Sequence, residues 1–152
     1  IKKGGCVIIW VASYPKSGNT WIRSIISSYF YSEDGLFNFN LLKNISQYPA
    51  SKYFNKEITK PGEVSFYWKA SQEEIVKNKK DIFLKTHNAL VALNGRYFTS
   101  ESHTLGAIYI IRDPRNVITS LKNHYDFKDY EDAFNFLPNQ KKYLWDERKK
   151  ND

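Results

Sequence analysis

Val7-Ile8-Ile9-Trp10-Val11, then Ser13-Tyr14-Pro15-Lys16-Ser17-Gly18-Asn19, then a helical pattern from Thr20 onward: this order decides the fold. The first run is β-branched and aromatic throughout, as in a strand covered on both faces. The second is dense in turn-forming residues. In the third, Trp21, Ile22, Ile25, Ile26, Tyr29 and Phe30 recur as pairs every four residues, with Arg23, Ser24, Ser27 and Ser28 between them. That spacing predicts a helix with one apolar stripe.

The same strand, loop and helix pattern returns later. Ala107-Ile108-Tyr109-Ile110-Ile111 reads as a buried strand, Arg112-Asp113-Pro114-Arg115 as a loop, and Val117, Ile118, Leu121 and Tyr125 as one face of the next helix. Pro114 is tolerated in a first helical turn. Between the two units, Asp81 to Thr86 reads as another buried strand. Ser71-Gln72-Glu73-Glu74 has the pattern of a capping box opening a short helix that runs to about Lys79. Asn94-Gly95 separates two apolar runs in the manner of a hairpin turn. Tyr31 to Ala70 shows no dominant period and reads as irregular; Tyr130 to Lys150 reads as helical and basic, divided by Pro138. Strands alternating with helices predict an α/β fold with a mainly parallel central sheet flanked by helices.

Composition narrows the class. At 152 residues the chain has the length of a single domain, 1–152, and its 41% hydrophobic content is enough for a packed core. Cys6 is the single cysteine, so an internally disulfide-stapled scaffold is excluded. The longest apolar run, Cys6 to Ala12, falls far short of the ~20 residues that cross a bilayer. No membrane span and a cytoplasmic location are therefore expected. The formal charge of +7 favours an anionic partner without choosing among them. The sequence contains no methionine, so part of a longer protein is expected.

The loop at Ser13 to Thr20 leads from a strand into a helix N-terminus, where open amides and the helix dipole favour an anion. Gly18 allows close backbone approach, Lys16 adds a charge and Thr20 a hydroxyl. A Walker A loop is excluded, because Lys16 precedes the loop's glycine. Arg112 and Arg115 follow another strand and offer planar donors for a second phosphate. Ligands of open α/β sheets collect at the carboxyl ends of strands. Lys85-Thr86-His87 ends a strand at that same edge, and a histidine there suits a general base. His103 and His124 lack such placement, and no Cys/His cluster has metal-ligand spacing, so no metal is expected.

Together, three motifs resemble the sulfotransferases that use 3'-phosphoadenosine 5'-phosphosulfate (PAPS). Tyr14-Pro15-Lys16-Ser17-Gly18-Asn19-Thr20-Trp21 is similar to that family's 5'-phosphosulfate loop. The segment from Tyr109 to Ser120 is similar to its 3'-phosphate motif, and Lys85-Thr86-His87 to the motif of its catalytic histidine. The three occur in family order over residues 7–125. The resemblance implies a P-loop NTPase-like fold and PAPS as sulfuryl donor, with no metal. It implies that Lys16 contacts the bridging oxygen and sulfuryl group, that Ser17, Gly18, Asn19 and Thr20 cradle the 5'-phosphate, and that Trp21 lies against adenine. Arg112 and Ser120 would bind the 3'-phosphate. His87 would take the proton of an acceptor hydroxyl or amine during in-line attack, with Lys85 positioning the sulfuryl group.

Asn19 stands where the family often has threonine. The family's C-terminal Arg-Lys-Gly loop has no match here, so a sulfotransferase incomplete at its C-terminus is expected. The expected acceptor is a small molecule or carbohydrate, with no nucleic acid as partner. Two alternatives stay open: a non-catalytic nucleotide- or polyanion-binding module of the same fold, and a phosphotransferase of the wider P-loop group.

Overall fold

A computed structural model describes residues 7–54, 58, 60–77 and 81–137. Two compact units divide at Arg112 and Asp113. The first is built on a parallel sheet of four strands: β1 (Ile8–Ser13), β2 (Ser46–Gln47), β3 (Ile82–Thr86) and β6 (Thr104–Ile110), in the order β2-β3-β1-β6. β1 is the axis of the sheet. Ile8 to Ala12 pair in register with Ile82 to Thr86 on one side, and Ser13 reaches Ile110 on the other. The sheet is mainly parallel and flanked by helices, as the alternating pattern predicts. Parallel pairing carries the carboxyl ends of β1, β3 and β6 to one edge.

Alternation along β1 sorts its side chains onto two faces. Ile8 and Trp10 join Tyr48, Trp68, Leu84 and Phe98 in one buried cluster. Val11 joins Ile26 and Ile45 in a second, with Ile22, Phe83 and Ile110 against it. The first cluster includes Trp68 of α2 (Trp68–Lys77); the second includes Ile22 and Ile26 of α1 (Asn19–Tyr31).

Four details differ from the sequence reading. The α1 stripe is split: Ile26 is buried as expected, but Trp21, Ile25 and Tyr29 are 78, 61 and 80% exposed, and Asn19 and Ser27 are buried in their place. Asn19 and Arg23 can face inward because each donates to a backbone carbonyl, Val11 O at 3.0 Å and Leu42 O at 2.8 Å. Ser71 lies inside α2 rather than capping it, since its hydroxyl bonds the Tyr67 carbonyl one turn back (2.8 Å) and meets Tyr48 Oη (2.7 Å). The expected end of that helix at Lys79 lies outside the described residues. The strand expected from Ala107 to Ile111 runs from Thr104 to Ile110, because Thr104 pairs with Ile8 and accepts from Trp10 Nε1 at 3.0 Å. Among the described residues β6 is an edge strand, with Tyr109 65% exposed, and not a buried one.

The irregular stretch after α1 holds short 3₁₀ turns and β2, whose two residues pair with Leu84 and Lys85. β4 (Ala92–Leu93) and β5 (Arg96–Tyr97) form the expected hairpin. Asn94 and Gly95 both have positive φ, as a two-residue turn of this hand requires.

The second unit contains α3 (Pro114–Tyr125) and α4 (Tyr130–Phe136), each opened by an aspartate cap, Asp113 and Asp129. Val117, Leu121 and Ala133 are buried, and Tyr125, Phe127 and Phe136 stack together. The reading of a basic helix beyond Pro138 falls outside the described residues. Among the described residues no helix is long and apolar enough to cross a membrane.

Candidate functional site

β1 ends at Ser13, and the chain turns through Tyr14 to Gly18 into α1. Lys16 takes φ 65° and Gly18 φ 102°, so the loop twice enters the left-handed region. Gly18 stands at the N-cap, where no side chain caps the helix. The Trp21 amide closes on the Gly18 carbonyl at 3.0 Å, which leaves the Asn19 and Thr20 amides to face a ligand with the positive end of the dipole behind them.

Asn19 and Ser13 fix that loop from beneath. The Asn19 side chain is 5% exposed, and its Nδ2 donates to Val11 O (3.0 Å) and Ser13 Oγ (3.2 Å). Its amide nitrogen is thus spent on the strand, and its Oδ1 is buried without a partner. Toward a phosphate in the loop, Asn19 offers its backbone N–H.

His87 follows the end of β3 and sits against the same Ser13. Its Nδ1 lies 2.8 Å from the Ser13 carbonyl oxygen and 3.3 Å from Ser13 Oγ. A carbonyl only accepts, so Nδ1 carries the proton and Nε2 presents its lone pair. Burial lowers the His87 pKa below 6.5, and the charges of Lys85 and Arg23 push the same way against the Ser13 bond. At neutral pH the ring is therefore an unprotonated base.

Lys85 shares the α1-facing side of β3 with Phe83. Burial lowers its pKa, followed by the charges of Arg23 and Lys16. Lys16 and Arg23 thus act on Lys85, and Lys85 and Arg23 act on His87. Arg112 closes the same edge: its Nη1 donates to the Lys16 carbonyl at 3.0 Å, tying the end of β6 to the loop after β1.

Ser17 is buried, and Thr20 and Trp21 are exposed at the start of α1. Ser120 lies on α3, in the second unit. Arg115 is engaged locally, its Nη2 2.6 Å from Asp113 Oδ2. This pair holds the Asp113 carboxyl below its ordinary pKa.

A family model described as the sulfotransferase domain matches residues 8–148. The chain belongs to the sulfotransferase domain family. Transfer of a sulfonate group is accordingly its general activity. A search of curated proteins finds no match to it.

Two residues of this candidate site escape sequence reasoning. Ser13 reads only as the first turn residue, although its alternation with Val11 already places it on the α1 side of β1. Arg23 reads as part of the solvent face of α1. The signal for it was its spacing of four from Asn19, which stacks the two on one side of a helix.

Proposed function

We propose that this sulfotransferase domain moves the sulfuryl group of PAPS to an acceptor hydroxyl, with His87 as general base. The observation that carries the reading is the shared use of Ser13: one residue anchors both the base and, through Asn19, the loop with the open helix N-terminus. A doubly phosphorylated donor suits the loop, which offers amides, a glycine at positive φ, Lys16 and Arg112 within one hydrogen-bonded unit.

The backbone of Ser17 to Thr20 holds the 5'-phosphate, and Lys16 offsets the charge that gathers on the leaving phosphate oxygen. Trp21, exposed at the start of α1, presents its ring to the adenine. Arg112 takes the 3'-phosphate. When bound, the donor supplies a sulfuryl group activated by its bond to phosphate. An acceptor oxygen forms a bond to sulfur as the sulfur–oxygen bond to phosphate breaks, and the acceptor proton passes to His87 Nε2. Lys85 orients the sulfuryl oxygens; its lowered pKa comes chiefly from burial, which also strengthens its pull on them. Positioning and charge supply the rate, without a covalent enzyme intermediate.

Calorimetric titration of the product nucleotide, 3'-phosphoadenosine 5'-phosphate, tests this reading. Saturable one-to-one binding that weakens at least tenfold in Lys16→Ala is expected. Absence of binding by the wild-type chain overturns it.

A further inference from the structure

We propose that the cavity bounded by Arg23, Lys43 and Lys52 receives an anionic group, a carboxylate or sulfate ester, carried by the hydroxyl acceptor itself. The inference rests on the sulfuryl-transfer reading above and names the acceptor class of that site.

The concavity is a shallow groove of about 370 Å³, wide open to solvent, and Ser46 and Gln47 of β2 form part of its wall. No acidic side chain among the described residues lines it. Among the described residues, the ion pairs use Lys69, Lys77 and Arg115, and none involves Arg23, Lys43 or Lys52. Three positive charges thus line one concavity, with no carboxylate paired to them among the described residues. Arg23 is the built part of the site. It is half-buried, its Nη2 is fixed on Leu42 O, and its Nε is buried without a partner. Lys52 Nζ is brought to the cavity wall by Ser46 Oγ at 2.6 Å. A bound anion would give the half-buried Arg23 guanidinium a charged partner.

Register connects this cavity to the reacting edge. Gln47 lies opposite Lys85 in the β2–β3 ladder, and His87 follows two residues after Lys85. The Arg23 charge disfavours protonation of both Lys85 and His87, which places all three in one field. An acceptor with its acid group on Arg23 therefore extends along β2 toward the histidine. A neutral acceptor of equal size leaves the three cations unbalanced.

Two sugars that differ by one carboxylate, methyl β-D-glucuronide and methyl β-D-glucoside, provide the test. Each is titrated into the nitrogen-15-labelled chain while backbone amides are followed by NMR. The glucuronide is expected to shift the Ser46 and Gln47 amides saturably and to bind about tenfold tighter than the glucoside. In the doubly substituted Lys43→Gln, Lys52→Gln chain, altered only at exposed positions, the difference should disappear. Equal affinities, shifts that bypass Ser46 and Gln47, absence of saturable glucuronide binding, or a preference that survives the double substitution would each overturn the proposal. Titration of 3'-phosphoadenosine 5'-phosphate into the same samples separates the two readings. Nucleotide binding without the glucuronide response removes the anion site alone, and the reverse pattern removes the sulfuryl-transfer reading.

Discussion

The imidazole of His87 reaches back across the sheet edge to Ser13, Nδ1 to carbonyl oxygen at 2.8 Å, and so fixes Nε2 as the ring nitrogen that keeps its lone pair. The contact joins the ends of two neighbouring parallel strands, β1 and β3, whose register already aligns Ala12 with Thr86. The tautomer is thus a consequence of strand pairing.

The pH dependence follows from that environment. Burial, together with Lys85 and Arg23, holds the His87 pKa below 6.5, so the neutral base is the dominant form at pH 7. The acid limb of kcat/KM should therefore fall below pH 6.5, and an NMR titration of the His87 ring should give the same midpoint. The linkage to stability has a definite sign. A depressed histidine pKa contributes stability that is complete above 6.5 and is lost as pH falls through the lower folded value. A midpoint above 6.5 in the free chain would contradict this account.

Replacing His87 by alanine should reduce turnover by roughly 10²- to 10⁴-fold, the usual contribution of a positioned general base. Affinity for 3'-phosphoadenosine 5'-phosphate should stay within about threefold of the wild type, because the ring is assigned to the acceptor side. Steady-state rates and calorimetry on one preparation check both halves. Undiminished turnover removes the histidine from the proton transfer.

Asn19→Ala removes two buried hydrogen bonds at once, to Val11 O and Ser13 Oγ. The expected loss of stability is about 1–3 kcal/mol, read from the urea midpoint at constant m-value. A stability unchanged within a few tenths of a kcal/mol would show that the Asn19 side chain does not anchor the loop.

Gly18→Ala isolates a purely conformational effect. A Cβ at Gly18 meets no atom within 4 Å, but φ of 102° disfavours any L side chain. Destabilisation of about 1–3 kcal/mol is expected, together with weaker nucleotide binding as the loop shifts out of this conformation. Thermal melting and calorimetry measure the two effects, and a neutral outcome in both would contradict the loop geometry.

The fold was legible because β1, its loop and α1 carry distinct periods in unbroken sequence, and the later strands repeat them. β2 was not legible: two residues, Ser46 and Gln47, form a strand only because β3 lies beside them. The inward face of α1 was misread for a related reason. Apolarity predicts burial only where no better polar contact exists, and Asn19 and Arg23 find carbonyl acceptors that local sequence cannot reveal. Ser71 shows the same limit, since its pattern fits a cap until Tyr48, distant in sequence, supplies a partner. For the site, Lys16, Lys85, His87 and Arg112 stood out because charged or titratable residues at strand ends are informative under the fold rule. Ser13 and Arg23 act through tertiary contacts and carry no comparable local mark.

The central claim is that a nucleotide phosphate sits on the uncapped first turn of α1, beside the base held by Ser13. Backbone amide shifts on adding 3'-phosphoadenosine 5'-phosphate to the nitrogen-15-labelled chain test it most directly. The largest shifts are predicted at Gly18, Asn19 and Thr20, with a smaller response at His87. Saturating shifts centred elsewhere, with those three amides unmoved, would contradict it.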